Sequence, residues 1–369
     1  MFKATVRYIS EIGVVVFLIS VLLGCTNSAE VVYQESDDNN VVEIIPIFPW
    51  SSSRAISDVL NEFYISSFSG KLNQGRNVHY TFDGSAWNAD KTIVWPAGST
   101  KISFWGLSQK FENANGMSNT SIKYNVQKFD YTCDPANPKD LLYASKLNTT
   151  QAEQGGKITL AFNYALANPY FVCVQAIETP NVTVIINEVI VHNLKTTGTF
   201  EYSTTLNSNG KWTLNNDLYA NFSKVLPSPV TLNPDKVTAV TLTDKWFWMP
   251  QRPTKWKTTA TTPVSITEAD AAHQCYVEMK CKIIASGSYV WGGPAGSTNE
   301  WESVYYPFGT NFNSKGYNTA IKLKFDGGYF DDGTPFTPRE GSEFTIAEWI
   351  QQDVLVEHWV EEEPEDLNF

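Results

Sequence analysis

The sequence has no apolar run long enough to span a bilayer. Its longest, Ile12 to Gly24, holds 13 of the 369 residues. At about 1.5 Å per residue, a helix of that length falls well short of a hydrocarbon core of roughly 30 Å. Histidine is scarce. There are four, His79, His192, His273 and His358, and none stands at zinc-ligand spacing beyond the weak His273-Gln274-Cys275, so no metal is expected. A Gly-x-Ser-x-Gly elbow, a phosphate-binding glycine loop and a dinucleotide fingerprint are all missing. Their absence removes the common hydrolase, NTPase and dehydrogenase readings and leaves no cofactor to expect. Asp326, Asp331 and Asp332 flank glycines without EF-hand spacing and read as a turn. Positive charge is also short, with 27 basic residues against 39 acidic ones and a net charge of −12. Such a surface repels phosphates and anionic headgroups, so nucleic acid is not an expected partner. No enzyme is expected either.

The short apolar run does supply a leader. Lys3 and Arg7 precede it, and it closes in Leu22-Leu23-Gly24-Cys25, giving the basic start, apolar centre and small residue of an export signal. Gly24 followed at once by Cys25 resembles a bacterial lipobox, in which the thiol is acylated and becomes the first residue. Cys25 is therefore the expected lipid attachment site, and residues 1–24 the removed leader. Removal leaves 345 residues and takes the net charge to −13, because Lys3, Arg7 and Glu11 go with it. Acyl chains contribute about 0.8 kcal/mol per buried CH₂, and stable anchoring takes more than one chain.

After the leader the chain reads as tether, strand and linker. Glu30 to Asn40 is polar and acidic, as a flexible tether would be. Val41 to Trp50 turns apolar and β-branched, but Pro46 and Pro49 cannot donate to a ladder and restrict it to a sheet edge. Ser51-Ser52-Ser53-Arg54-Ala55 follows as a polar linker open to a trypsin-like protease.

From there alternation with period two dominates, without helical periodicity. It runs through Phe63-Tyr64-Ile65, Val78 to Phe82, Ile93 to Trp95, Ile102 to Gly106, Ile158 to Tyr164, Phe171 to Ala176 and Val182 to Val191. The second half continues with Val237 to Leu242, Cys275 to Ile283, Tyr317 to Phe325, Phe344 to Trp349 and Val354 to Val360. One buried and one wet face per strand is the mark of an antiparallel sandwich. The polar stretch Thr205 to Asn216 is the expected boundary between two all-β domains, residues 55–205 and 206–369. The second ends in an acidic tail, Glu361 to Asp366.

Cys275 and Cys281 lie about 20 Å apart if they share one strand, too far to pair. Their parity with Val277 and Met279 makes them buried thiols. Cys133 and Cys173 are left open as a bridge or as free thiols. The 12 tryptophans admit a sugar-stacking reading, but Trp95, Trp105 and Trp246 to Trp248 fall within strand patterns, where core packing is the commoner reason.

Several stretches, taken in order, resemble the fimbrillin family, the lipoprotein pilins of type V pili. They are Tyr80-Thr81-Phe82 with Trp87; Trp95-Pro96 before Ile102-Ser103-Phe104-Trp105; Asp140 to Ala144; and Ile158 to Ala167. Gly198-Thr199-Phe200, Met249-Pro250-Gln251, Asp326 to Tyr329 and Asp331-Asp332-Gly333 complete the set. The resemblance implies two transthyretin-like Greek-key β-sandwich domains, no catalysis, and assembly by strand donation. It also implies an outer-membrane or cell-surface location, with other pilin subunits as partners in a homo- or hetero-polymer, and host or bacterial surface ligands. In such pilins an arginine-specific protease removes the N-terminal segment and opens a groove for a neighbour's strand. Carried onto this chain, the cut falls between Arg54 and Ala55 and releases residues 25–54, lipid included. The best donor candidate is the C-terminal stretch with Val354, Val356 and Val360 on one face and Trp359 on the other, the alternative being an ordinary closing strand of the second domain. The alternative function is a surface lipoprotein that binds glycans and is not polymerised.

Overall fold

The computed structural model describes residues 40–48, 60–70, 72–109, 117–118, 122–123, 126–177, 180–203, 210–215, 218–235, 237–244, 246–312, 318–336 and 355–358. The leader, Cys25, the tether up to Asn39, the Arg54 linker, Phe344 to Trp349 and the acidic tail lie outside them. Strands dominate, as the period-two pattern requires, with short helices at Gln151–Gln154 and Ile266–Ala271.

A central six-stranded sheet runs in the order Asn163–Tyr164, Leu142–Thr149, Ile102–Leu107, Glu62–Ser69, Leu72–Phe82 and Trp87–Ala89, every pair antiparallel. Its two faces carry different cores because neighbouring residues point opposite ways. Ile102, Phe104, Leu142, Ala144, Phe63 and Ile65 join one cluster with Val42, Ile44, Ile158, Leu160 and Phe162. Trp105, Leu107 and Tyr143 join a second, with Phe129, Tyr131 and Phe200. The first cluster is closed by a two-stranded ribbon, Glu43–Ile47 beside Lys157–Ala161. The second is closed by a smaller sheet in which Thr197–Glu201 lies between Lys211–Leu214 and Val126–Thr132.

The second cluster continues into another pair of sheets. One is ordered Tyr219–Thr231, Val182–Lys195, Tyr276–Ala285, Glu302–Pro307, Gly328–Tyr329 and Pro335–Phe336, with Ser288–Trp291 added to Tyr276–Ala285. The other is ordered Val240–Thr241, Asn168–Gln175, Asn318–Phe325 and Leu355–His358. Val184, Ile186, Val189, Met279, Cys281 and Ile283 of the first face Phe171, Cys173, Ile321 and Leu323 of the second. A third, small cluster of Trp256, Ala269, Tyr276 and Tyr329 sits beneath the Ile266–Ala271 helix.

Among the described strands, two pairs depart from a purely antiparallel arrangement, and an isolated bridge between Lys255 and Cys275 is parallel as well. Glu43–Ile47 pairs parallel to Lys157–Ala161, and Asn168–Gln175 pairs parallel to Asn318–Phe325. Alternation specifies which residues face the core and not which way the strand runs, and both pairs are joined by connections long enough for a crossover. The pairing also crosses the expected boundary. Asn168–Gln175 and Val182–Lys195 bond to Asn318–Phe325 and Tyr276–Ala285, whereas Thr197–Glu201 returns to Val126–Thr132. Lys211–Leu214 is a strand inside the stretch read as a polar join.

Candidate functional site

The leading strand, Glu43–Ile47, is held from both sides. Towards Lys157–Ala161, Glu43 donates its N–H to the Gly156 carbonyl (3.2 Å) and Ile47 offers its carbonyl to the Phe162 N–H (2.7 Å). On the opposite side Val42 donates to the Ile93 carbonyl (2.9 Å), and Asn40 accepts from Trp95 (2.8 Å). Alternation therefore turns the backbone of Glu43, Ile45 and Ile47 towards its parallel neighbour and that of Val42, Ile44 and Pro46 away from it. Pro46 sits where the parallel ladder asks for no N–H, which explains how a strand with an internal proline is held.

The side chains alternate in the same way. Val42 and Ile44 are 4% and 7% exposed, whereas Ile45 and Ile47 are 37% and 52% exposed. Burying a side chain of this kind contributes about 1.5–3 kcal/mol. At the end of the strand Phe48 reaches an aromatic cage. Its ring lies 5.0 Å from Phe162, 5.7 Å from Trp87 and 6.2 Å from Phe63. Phe63 in turn lies 4.7 Å from Trp87 and 5.3 Å from Phe162. Phe162 gets this close because Gly106 has no side chain, since a Cβ there would stand 2.9 Å from the ring. Outside, the exposed ion pair of Glu43 with Lys157 (3.0 Å) spans the ribbon, and pairs of that kind add little. That Val41 to Phe48 forms a strand was open to sequence reading, whereas its buried face was not, because both faces are largely apolar, nor was the three-sided cage, because its walls come from residues far apart in the chain.

Of the residues singled out from the sequence, Cys25, Arg54, Ala55, Val354, Trp359 and Val360 lie outside the described residues. Val356 falls in the strand Leu355–His358, whose backbone pairs antiparallel with Asn318–Phe325 and places Val356 opposite Ile321. That strand is the last of its sheet. Two other arginines are described: Arg76 lies within the paired strand Leu72–Phe82, and Arg252 stands directly before Pro253.

The remaining chemistry is structural. Cys133, Cys173, Cys275 and Cys281 are buried free thiols. Burial pushes Cys133 up to about 12 and raises the other three well above the ordinary thiol range, away from thiolate reactivity. Among the described residues no cluster of His, Cys, Asp and Glu could hold a metal ion. The outer face of the larger C-terminal sheet carries a polar ladder instead. Glu278 Oε2 lies 2.8 Å from His192 Nε2 and its Oε1 accepts from the Ser303 hydroxyl, while Lys280 reaches Glu188 at 2.7 Å. Burial pushes the Glu278 carboxyl up, but the bonds from His192 and Ser303 and the nearby positive charge outweigh it and hold it below the usual carboxylate range. For sugar stacking the surface offers little, because the described tryptophans are buried or half-buried and Tyr289 is the exposed aromatic among the described side chains.

Comparison with known proteins bears on this arrangement. No curated protein matches the chain in sequence. A solved fimbrial protein from Bacteroides vulgatus superposes with a TM-score of 0.52 at 11% identity, covering 87% of this chain and 100% of its own. A candidate cell adhesion protein from Bacteroides ovatus covers 88% of this chain and 99% of its own at 13% identity, with a TM-score of 0.45. The first of these likenesses establishes a shared fold. The family model described as fimbrillin-like matches residues 50–323, more than half of the sequence, and on that match the chain belongs to the fimbrillin-like family.

Proposed function

We propose that this chain is a structural or tip subunit of a fimbrium at the cell surface, exported as a lipoprotein on Cys25 and assembled by protease-triggered strand exchange in support of adhesion. The observation that carries the proposal is the leading strand. It fills an apolar groove with alternate side chains, its internal Pro46 faces away from the parallel ladder, and Arg54 follows it within seven residues. Cutting between Arg54 and Ala55 severs the groove's occupant from the body of the subunit. What remains is an unpaired strand edge with apolar pockets, which a strand from another chain would cover. The described alternatives for an arginine-specific protease are poorer candidates, since Arg76 lies within the strand Leu72–Phe82 and Arg252 is blocked by Pro253. The C-terminal stretch holding Val354, Val356, Trp359 and Val360 is the strand this subunit would give to the next, because Leu355–His358 already behaves as an edge strand. The subunit catalyses nothing in this account. Treatment of the purified chain with an arginine-specific protease should give a subunit that begins at Ala55 and takes up an added peptide of residues 40–48, whereas Arg54→Ala should keep its own strand and take up none. Equal uptake by both would remove processing from the proposal.

A further inference from the structure

The groove beneath the leading strand reads three positions of its occupant, and those positions say whose strand it takes. Val42 and Ile44 fill it two residues apart, both nearly out of contact with solvent. Phe48 enters the Phe63, Trp87 and Phe162 cage four residues further on. Pro46, between them, is half-buried and needs no donor. The required pattern is aliphatic, any residue, aliphatic, any three residues, aromatic.

The C-terminal part of this chain does not offer that pattern. With Val354 and Val356 in the two aliphatic sites, Val360 arrives at the cage, too small to touch all three rings. Shifting by one residue brings Leu355 and Trp359 to the Ile44 and Phe48 sites, but delivers Asp353 to the site of Val42, where a carboxylate would be buried without a partner. Running the strand the other way fails at every aromatic, because Phe344, Trp349 and Trp359 are each followed four places on by an acid, Glu348, Asp353 and Glu363.

We infer that the groove selects its occupant through an aromatic side chain at the Phe48 site, and that the occupant comes from a different protein chain, not from the C-terminal strand of a second copy. This rests on the strand-exchange reading above. The subunit is then an element of a hetero-assembly, giving its own C-terminal strand to one kind of neighbour and receiving from another. Phe63, Trp87 and Phe162 are its specificity-determining residues.

The test uses the purified chain cut after Arg54 and three fluorescein-labelled synthetic peptides: residues 40–48, the same peptide with Phe48→Ala, and residues 353–361. Binding is read by fluorescence anisotropy and by native mass spectrometry of the complex. The 40–48 peptide should be taken up, the Phe48→Ala peptide at least about tenfold more weakly, and the 353–361 peptide no better than the alanine form. Equal uptake of the first two peptides, or uptake of 353–361 as tight as that of 40–48, overturns the selection and the hetero-assembly while leaving strand exchange standing. A cut chain that keeps its own strand and takes up none of the three overturns strand exchange itself, and this inference with it.

Discussion

At the scale of the residue, Gly106 does two jobs with one backbone. Its missing side chain admits the Phe162 ring to the cage, and its carbonyl accepts the buried Tyr202 hydroxyl at 2.7 Å from the other face of the same sheet. A branched side chain at 106 has to push Phe162 aside. Gly106→Val should therefore lower stability by about 1–3 kcal/mol, visible in a urea titration, and should speed hydrogen exchange in residues 43–47 ahead of the rest. Uniform acceleration would show that the glycine serves the sheet and not the groove. Glu278 makes a second residue-scale case, with its carboxyl held below its usual value despite burial. A carboxyl depressed in the folded state contributes stability that is present above its unfolded pKa and is lost as pH falls through the folded one. The urea midpoint of the parent should therefore fall on acidification through and below the ordinary carboxylate range, and Glu278→Gln should show a shallower fall. The same variant should cost about 1–3 kcal/mol near neutral pH through the weakened contacts to His192 and Ser303. An unchanged acid slope would remove Glu278 from the account.

At the scale of the element, the leading strand shows what the sequence made legible and what it did not. Its existence and the need to place its prolines at an edge follow from Val41 to Trp50 read alone, whereas its buried parity does not, because Val41, Ile45 and Ile47 are as apolar as Val42 and Ile44. Its parallel partner does not, because a partner more than a hundred residues away leaves no trace in a local pattern. The same division holds elsewhere. Cys275 to Ile283 and Tyr317 to Phe325 announce themselves by alternation, and Cys275 and Cys281 are buried as their parity requires. Tyr219–Thr231 is hidden because Pro227 and Pro229 interrupt the pattern where a bulge lets the strand continue. The Ile266–Ala271 helix is hidden because six residues are too few to show a period, although the Ser265 and Glu268 capping box marks its start. The ladder also makes a stereochemical prediction. Ile45 turns its N–H towards Lys157–Ala161 and Pro46 turns its ring away, so Ile45→Pro should undock the strand while Pro46→Ala should leave it in place. Hydrogen exchange of residues 158–162 reads the difference, and equal protection in the two variants would refute the assigned side of the ladder.

At the scale of the whole molecule, Asp37–Phe369 forms one compact unit, and division into two sandwich domains stands as a proposal. By their hydrogen bonds, Asn168–Gln175 and Val182–Lys195 go with the C-terminal sheets and Thr197–Glu201 with the N-terminal ones. The change of pairing therefore does not fall where the polar composition of Thr205 to Asn216 would put it, because composition reports exposure and not partnership. Within this frame Glu43–Ile47 and Leu355–His358 are peripheral strands of two different sheets. That is the arrangement a subunit needs if one end is to be surrendered and the other given away. The central claim is that the leading strand is removed before assembly, and the identity of the first residue in surface-assembled material tests it most directly. N-terminal sequencing of fibres sheared from the cell should find Ala55, while an acylated Cys25 at the head of the assembled protein would contradict the account.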